Sequence, residues 1–337
     1  MSSWLVKTGV QRTISVLPRS QWWNSLLQRY VTGTLRIGPY DEFYAKLRAC
    51  RRHLDAYRTF SRRPREDFTV VEIGTGWFPI IPIGLHLCGA REIWSFDIVR
   101  LLRADTFRRV IDCFCSFARS GELCQVLPAV RASVLTKLLE MAPSAAKLPP
   151  AEFLERLNIH SLIGDVRRTG LADGCADLVF SEGVLELIDP AALLDILSEL
   201  RRLASRDSVV SHYICIADQF ATFDKSITPF NNLRFSARAW RWLKSPLVPQ
   251  NRLRASDYRR AMREAGLEIV AEENRRGAES DLARIRLAPE FSRYDRQDLL
   301  VLFASLVGRP PESPASAERC ASEPQPISFQ APQFDGA

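Results

Sequence analysis

Residues 68–79 read Phe68-Thr69-Val70-Val71-Glu72-Ile73-Gly74-Thr75-Gly76-Trp77-Phe78-Pro79, a short strand running into a glycine turn and a helix start. Its β-branched opening has strand character and stops at Gly74. Glycines at 74 and 76 permit a tight turn and leave bare backbone against which a ligand can lie. Pro79 suits the first turn of a helix, where its missing N–H is not needed, so Ile80 to Cys88 reads as a short helix. Glu92 to Phe96 follows as a second strand, closed by Asp97 about twenty residues beyond the first. An acid at that strand end can accept hydrogen bonds from both hydroxyls of a ribose. A dinucleotide fingerprint would want glycine or alanine where Pro79 stands, which weakens a nicotinamide or flavin reading.

Outward from this loop the pattern keeps alternating. Leu101 to Ala118 carries apolar residues three and four apart and reads as a long helix. A helical insertion covers Val126–Leu157, and strands are expected at Ile159–Ile163 and Ala176–Phe180. Asp189-Pro190 opens a helix, the acid capping free N–H groups and the proline filling the first turn. Leu193, Ile196, Leu197, Leu200 and Leu203 form its apolar stripe. Val209–Ile216 reads as a strand, and Ser256 as the cap of a helix with Tyr258, Ala261, Met262 and Ala265 on one face, ending at Gly266. Strands at Leu267–Ala271 and Leu299–Leu306 complete the set. Such alternation implies an α/β fold with a mostly parallel sheet and helices on both faces. Ligands in such sheets bind beyond the carboxyl ends of the strands, where strand order reverses.

Further landmarks give the pattern a family likeness. Gly164-Asp165-Val166 follows the third strand, and Ala176-Asp-Leu-Val-Phe-Ser-Glu-Gly-Val-Leu-Glu186 precedes Asp189-Pro190. Together with the glycine loop and Asp97, these resemble the class I S-adenosylmethionine (SAM)-dependent methyltransferases over roughly residues 68–307, most closely over 70–205. The resemblance implies a Rossmann-like sheet of seven strands and SAM as cofactor. By it, Glu72, Gly74 and Gly76 would face the methionine part, Asp97 the ribose diol, and Asp165 with the Val166 backbone the adenine edge. Trp77, Ile98 and Ser181 would complete the cofactor-binding set. The chemistry agrees, since SAM offers a cationic amine, two hydroxyls and an exocyclic amine to these carboxylates. Each acid also has a structural role open to it, as a helix cap or a solvated loop residue.

Two departures stand out. Bulky Trp77 and Phe78 occupy a loop that often carries another glycine, and Glu186-Leu187 stands where many family members have Glu-His. No catalytic base is therefore carried over. Glu182, His212 and Asp218 lie near expected strand ends and are the candidates, although a core imidazole suits His212 better. His53 and His86 have no partner legible in the sequence and read as structural.

Composition bounds the rest. The chain has 337 residues, 46% of them apolar, and its longest apolar stretch, from Trp77, is interrupted by Pro79 and Pro82, too short to span a bilayer. Eight cysteines show no Cys-x-x-Cys pair and no zinc spacing, so no metal is expected and the thiols read as reduced core residues of a cytoplasmic protein. Residues 1–66 hold thirteen Lys and Arg against four Asp and Glu. Three parts are expected: a basic helical extension over 1–66, a SAM-binding domain over 67–308 with insertions at 121–157 and 218–254, and a disordered tail over 309–337 rich in Pro, Ser, Glu and Gln. The 218–254 stretch, with Asn231, Asn232 and Arg234 among aromatics, falls on the acceptor side. Trp23, Leu26, Leu27 and Tyr30 stripe a basic helix that reads as a lid, with weak contact to a membrane surface as the next reading. The expected activity is methylation of a small molecule, a glycan precursor or secondary metabolite. Nucleic acid is not the expected partner. The alternatives are an RNA acceptor, suggested by the basic N-terminus, and a non-catalytic membrane or scaffold protein on the same fold.

Overall fold

A computed structural model describes Gly9 and residues 42–222, 224–243 and 249–312. The expected N-terminal amphipathic stripe and most of the expected tail lie outside these residues.

The first described helix, α1 (Glu42–Phe60), buries Phe43, Leu47, Cys50, Leu54 and Tyr57 along one stripe, with His53 among them. It leads into β1 (Phe68–Ile73), all six residues of which are buried. Next come α2 (Ile80–Leu87), β2 (Ala90–Asp97) and α3 (Ala104–Ser120), the last stopped by Gly121 at φ 79°. The insertion is helical, with segments at Glu122–Val126, Ala132–Met141 and Pro150–Glu155, and then β3 (Ile159–Ile163) and β4 (Ala176–Glu182) follow. Asp189 accepts the Ala191 N–H at 3.0 Å and so caps α4 (Pro190–Leu203), as the sequence predicts.

β5 (Ala204–Cys215) starts earlier than its apolar run suggests, and its polar first residues diverge from β4 at a register shift. In α5 (Ala255–Glu264) the cap differs from expectation. Asp257 accepts the Arg254 N–H at 2.9 Å and does the capping, while Ser256 sits in the first turn, its N–H and hydroxyl held by Asp298. β6 (Glu268–Arg276) and β7 (Val301–Arg309) finish the chain's sheet, with Leu299 and Leu300 ending a helical turn before β7 rather than opening the strand.

Seven strands form one sheet in the order β3-β2-β1-β4-β5-β7-β6, a Rossmann-like α/β fold. The pairings from β3 to β5 are parallel, and β7 runs antiparallel between β5 and β6. Side chains alternate across the sheet. Val70, Ile93, Leu178 and Val209 join α1, α2 and α3 in the core of one face. Val71, Val179, Val210 and Leu306 join α4 and α5 in the core of the other. The chain runs outward from β1 to β3 and returns to place β4 on the opposite side of β1. Strand order thus reverses between β1 and β4, and their carboxyl ends frame the position where such sheets take ligands.

Candidate functional site

At the reversal point the glycine loop leaves β1 under two separate constraints. Gly74 has φ 84° and donates its N–H to the Phe96 carbonyl at 2.7 Å. A Cβ there would lie 2.3 Å from Val184 Cγ2, so the loop leaving β4 is packed directly on this glycine. Gly76 has φ 63°, yet a Cβ added to it would meet nothing within 4 Å. Space therefore stays open over Gly76, as a backbone that cradles a ligand requires.

Asp97 holds this loop from the neighbouring strand. Its Oδ2 accepts the Gly76 N–H at 2.9 Å and its Oδ1 accepts the Val99 N–H at 3.1 Å. A carboxylate has about four acceptor directions, so roughly two remain for the hydroxyls of a ligand. The Asp97 carbonyl also accepts the Gly164 N–H at 2.9 Å, which brings the exit of β3 alongside.

The other expected cofactor residues take varied positions. Glu72 shares the α1 face of β1 with Val70 and is buried, accepting the Ser95 hydroxyl, which in turn contacts Thr75. Burial raises its carboxyl to about 7, against the pull of the Ser95 hydrogen bond and the Lys46 charge. Glu72 thus braces the loop from beneath. Asp165 is exposed at the β3 exit in an ion pair with Arg167, whose Nε donates at 2.9 Å, and that hydrogen bond holds the carboxyl down at about 2. Val166 is buried in the α4/α5 core and Trp77 is half-buried against the α1 core, whereas Ile98 is 76% exposed beside Asp97. Ser181 is fully buried and shares a hydrogen bond of 2.8 Å with His212 Nδ1.

The three base candidates are likewise engaged or enclosed. His212 Nε2 is buried without a partner, and desolvation lowers the ring to about 3, leaving a neutral core imidazole. Asp218 accepts the Phe220 N–H at 2.8 Å and the Asn231 amide at 3.1 Å, and burial raises it to about 6 while it organises the loop after β5. Glu182 takes Arg52 Nη2 in both carboxylate oxygens, at 2.8 and 2.6 Å, and contacts His53 Nε2 at 3.1 Å. Burial alone would raise the Glu182 carboxyl, but the Arg52 charge and the His53 hydrogen bond outweigh it and hold the group at about 2.

Sequence reading did not find the partners of Glu182. Arg52 and His53 arrive on α1, with His53 Nδ1 2.8 Å from Ser211 Oγ and the Arg52 guanidinium 3.9 Å from the Tyr213 ring centroid. A polar His53 inside the apolar stripe of α1 was the available signal. Glu186, which the sequence marks only as the neighbour of Leu187, is a further buried acid. It is 2% exposed, its Oε2 has no partner, and burial raises it to about 8, so it carries a proton at neutral pH. Among the described residues no group of three or more His, Cys, Asp or Glu could hold a metal, and no helix is long and apolar enough to cross a membrane.

No protein-family model matches the chain, nor does any curated protein. Among solved structures, a Haloferax volcanii complex of the Trm112 methyltransferase activator with a methyltransferase aligns at 16% identity, covering 82% of this chain and 99% of that one, with a TM-score of 0.40. Geranyl diphosphate C-methyltransferase from Streptomyces coelicolor A3(2) aligns at 12% identity over 77% of this chain and 79% of that one, with a TM-score of 0.42. An S-adenosylmethionine-dependent methyltransferase from Mesorhizobium loti aligns at 14% identity over 76% and 96%, with a TM-score of 0.40. At such identities and scores, function has to be argued from this chain's own residues.

Proposed function

We propose that the chain is a SAM-dependent methyltransferase with a small-molecule acceptor. The observation that carries this reading is the open space over Gly76, bordered by the Asp97 carboxylate at the β1/β4 reversal point. The residues fit a nucleoside with an extended side arm. Asp97 would accept from the ribose hydroxyls, the Gly74–Gly76 backbone would lie against the methionine portion, and Asp165 at the adjoining strand end would accept from the adenine amine. Bound there, SAM would supply a sulfonium-activated methyl group.

The protein's own contribution is positioning. The Arg52–Glu182–His53 cluster pins α1 across β4 and β5, and the Val184–Gly74 contact fixes the β4 exit against the glycine loop. Rigid packing of this kind next to the opening would help to hold two reactants in line, which can provide a large part of a displacement's acceleration. Asp97→Ala in the full chain is the direct test: calorimetry should show one SAM site in the wild type and at least about tenfold weaker binding in the variant. Absence of SAM binding by the wild type overturns the reading.

One observation favours a second reading, a non-catalytic protein on this fold. Glu182 is fully ion-paired, and His212 and Asp218 are completely buried. Turnover of SAM with a metabolite extract would dismiss it.

A further inference from the structure

Helix α1 runs antiparallel to β5. Ser61, just past its last turn, donates its hydroxyl to the Asp207 carbonyl near the start of β5 at 2.7 Å, whereas His53 Nδ1 lies 2.8 Å from Ser211 Oγ. The residues from 53 to 61 rise about 12 Å as helix, and those from 207 to 211 rise about 13 Å as strand, so the two stay in step. Lys46 stands about two turns before His53 and on the same stripe of α1, roughly 10 Å further towards the ligand side. That step brings it to the carboxyl ends of β4 and β5, at Glu182 and Cys215. Phe43 packs edge-on against Phe114 and Phe117, each at 4.9 Å, and fixes this end of the helix.

The glycine loop lies within the field of this lysine. Its charge favours the ionised forms of Glu72, Glu182 and Glu186 together. Glu72 is tied to the loop through Ser95 and Thr75, and Glu182 is two residues from Val184, which packs on Gly74. Lys46 is thus set between the ends of β1 and β4, the strands that border the opening over Gly76. None of these acids is free to pair with it. Glu182 is occupied by Arg52 and His53, and Glu72 accepts from Ser95. Burial raises Glu72 to about 7 and Glu186 to about 8, the latter with Oε2 unpartnered, and Glu42, one turn before Lys46, is raised to about 7 as well. Lys46 itself is half-buried and has no hydrogen bond or ion pair among the described residues. An ammonium held here without a counter-charge of its own favours an anionic group on whatever enters.

We propose that Lys46 is the carboxylate-binding residue of the opening over Gly76 and pairs with an acid group of the ligand held there. The identity of that ligand rests on the methyltransferase reading; the uncompensated charge does not. A single ammonium suits a carboxylate monoanion, whereas a phosphate dianion draws several donors. Two molecules of that reading can supply the acid: the cofactor through its amino-acid end, or an acidic acceptor.

Full-length protein is titrated calorimetrically with S-adenosylhomocysteine, with its decarboxylated analogue S-adenosyl-3-thiopropylamine, and with benzoate in the presence and absence of S-adenosylhomocysteine. Lys46→Met removes the charge and keeps the bulk, and Lys46→Arg keeps the charge. Where the cofactor supplies the acid, Lys46→Met should weaken S-adenosylhomocysteine by about tenfold or more and leave the analogue within about twofold, with Lys46→Arg recovering most of the loss. Where the acceptor supplies it, both nucleosides should be indifferent to Lys46→Met and benzoate should bind about tenfold more weakly. Equal losses for S-adenosylhomocysteine and its analogue would mark a structural role and overturn the proposal. Indifference of S-adenosylhomocysteine together with absent or unchanged benzoate binding overturns it too. No nucleoside binding by the wild type, with benzoate binding that needs Lys46, would instead overturn the methyltransferase reading and leave the anion site standing; a wild type that binds neither overturns both.

Discussion

Replacing Gly74 and Gly76 separately by alanine should produce opposite defects, because the two glycines are needed for different reasons. Both have positive φ, at 84° and 63°, so either alanine incurs the left-handed penalty of about 1–2 kcal/mol. A stiffer unfolded chain returns about 0.4–1 kcal/mol of that. At Gly74 a second cost enters. The new Cβ would sit 2.3 Å from Val184 Cγ2, well inside the roughly 3.5–4.0 Å of a normal carbon contact. Relieving that overlap costs about 1–3 kcal/mol as overpacking. Gly74→Ala should therefore lose about 2–4 kcal/mol and Gly76→Ala about 1 kcal/mol, read from urea unfolding followed by tryptophan fluorescence. Function should split the other way. The Gly76 Cβ enters the open space assigned to the cofactor, so Gly76→Ala should fold well and bind SAM at least about tenfold more weakly. In a Val184→Ala background, the Gly74→Ala penalty should fall to that of Gly76→Ala, giving a coupling of about 1–3 kcal/mol. Equal destabilisation by the two alanines, or full SAM affinity in Gly76→Ala, refutes the reasoning.

Glu182→Gln leaves the half-buried Arg52 without its counter-charge and should cost about 1–3 kcal/mol in urea unfolding, with Arg52→Met in the same chain restoring part of the loss. Because its folded carboxyl is held at about 2, the Glu182 contribution is fully present above its unfolded value near 4.5 and is lost as pH falls towards 2. Glu186 has the opposite sign: its carboxyl is raised to about 8, so folding takes up a proton and stability declines as pH climbs from about 4.5 to 8. Glu186→Gln should flatten that decline, and the difference between variant and wild-type urea midpoints from pH 5 to 8.5 isolates it; parallel curves would contradict the assignment. Asp165→Ala should leave the melting temperature unchanged, since its Arg167 pair is exposed, while weakening SAM by about tenfold in calorimetry.

The fold was legible where local chemistry is self-sufficient. Gly74 and Gly76 after a β-branched strand, Asp97 closing the next, and Asp189-Pro190 opening α4 each act within a few residues, and the structure forms all of them. Ser256 misled because Asp298, distant in sequence, captures it and leaves the capping to Asp257. The starts of β5 and β7 were misplaced for related reasons. Polar residues 205–208 extend β5 without an apolar signature, and Leu299 and Leu300 belong to a buried helical turn. The site was only half legible. Asp97 reaches the loop next to it, but the pairing of His53 with Glu182 and Ser211 joins residues more than a hundred positions apart, and the polar His53 in an apolar stripe marks a buried partner without naming it. Glu72 was placed by its motif on the ligand side of the loop, whereas strand alternation turns it inward with Val70, towards Ser95.

The decisive experiment is a structure of the full chain with S-adenosylhomocysteine bound. The ribose diol should lie within hydrogen-bonding distance of the Asp97 carboxylate, and the amino-acid portion along the Gly74–Gly76 backbone. A nucleoside seated elsewhere, with the space over Gly76 still empty at saturating ligand, would contradict it.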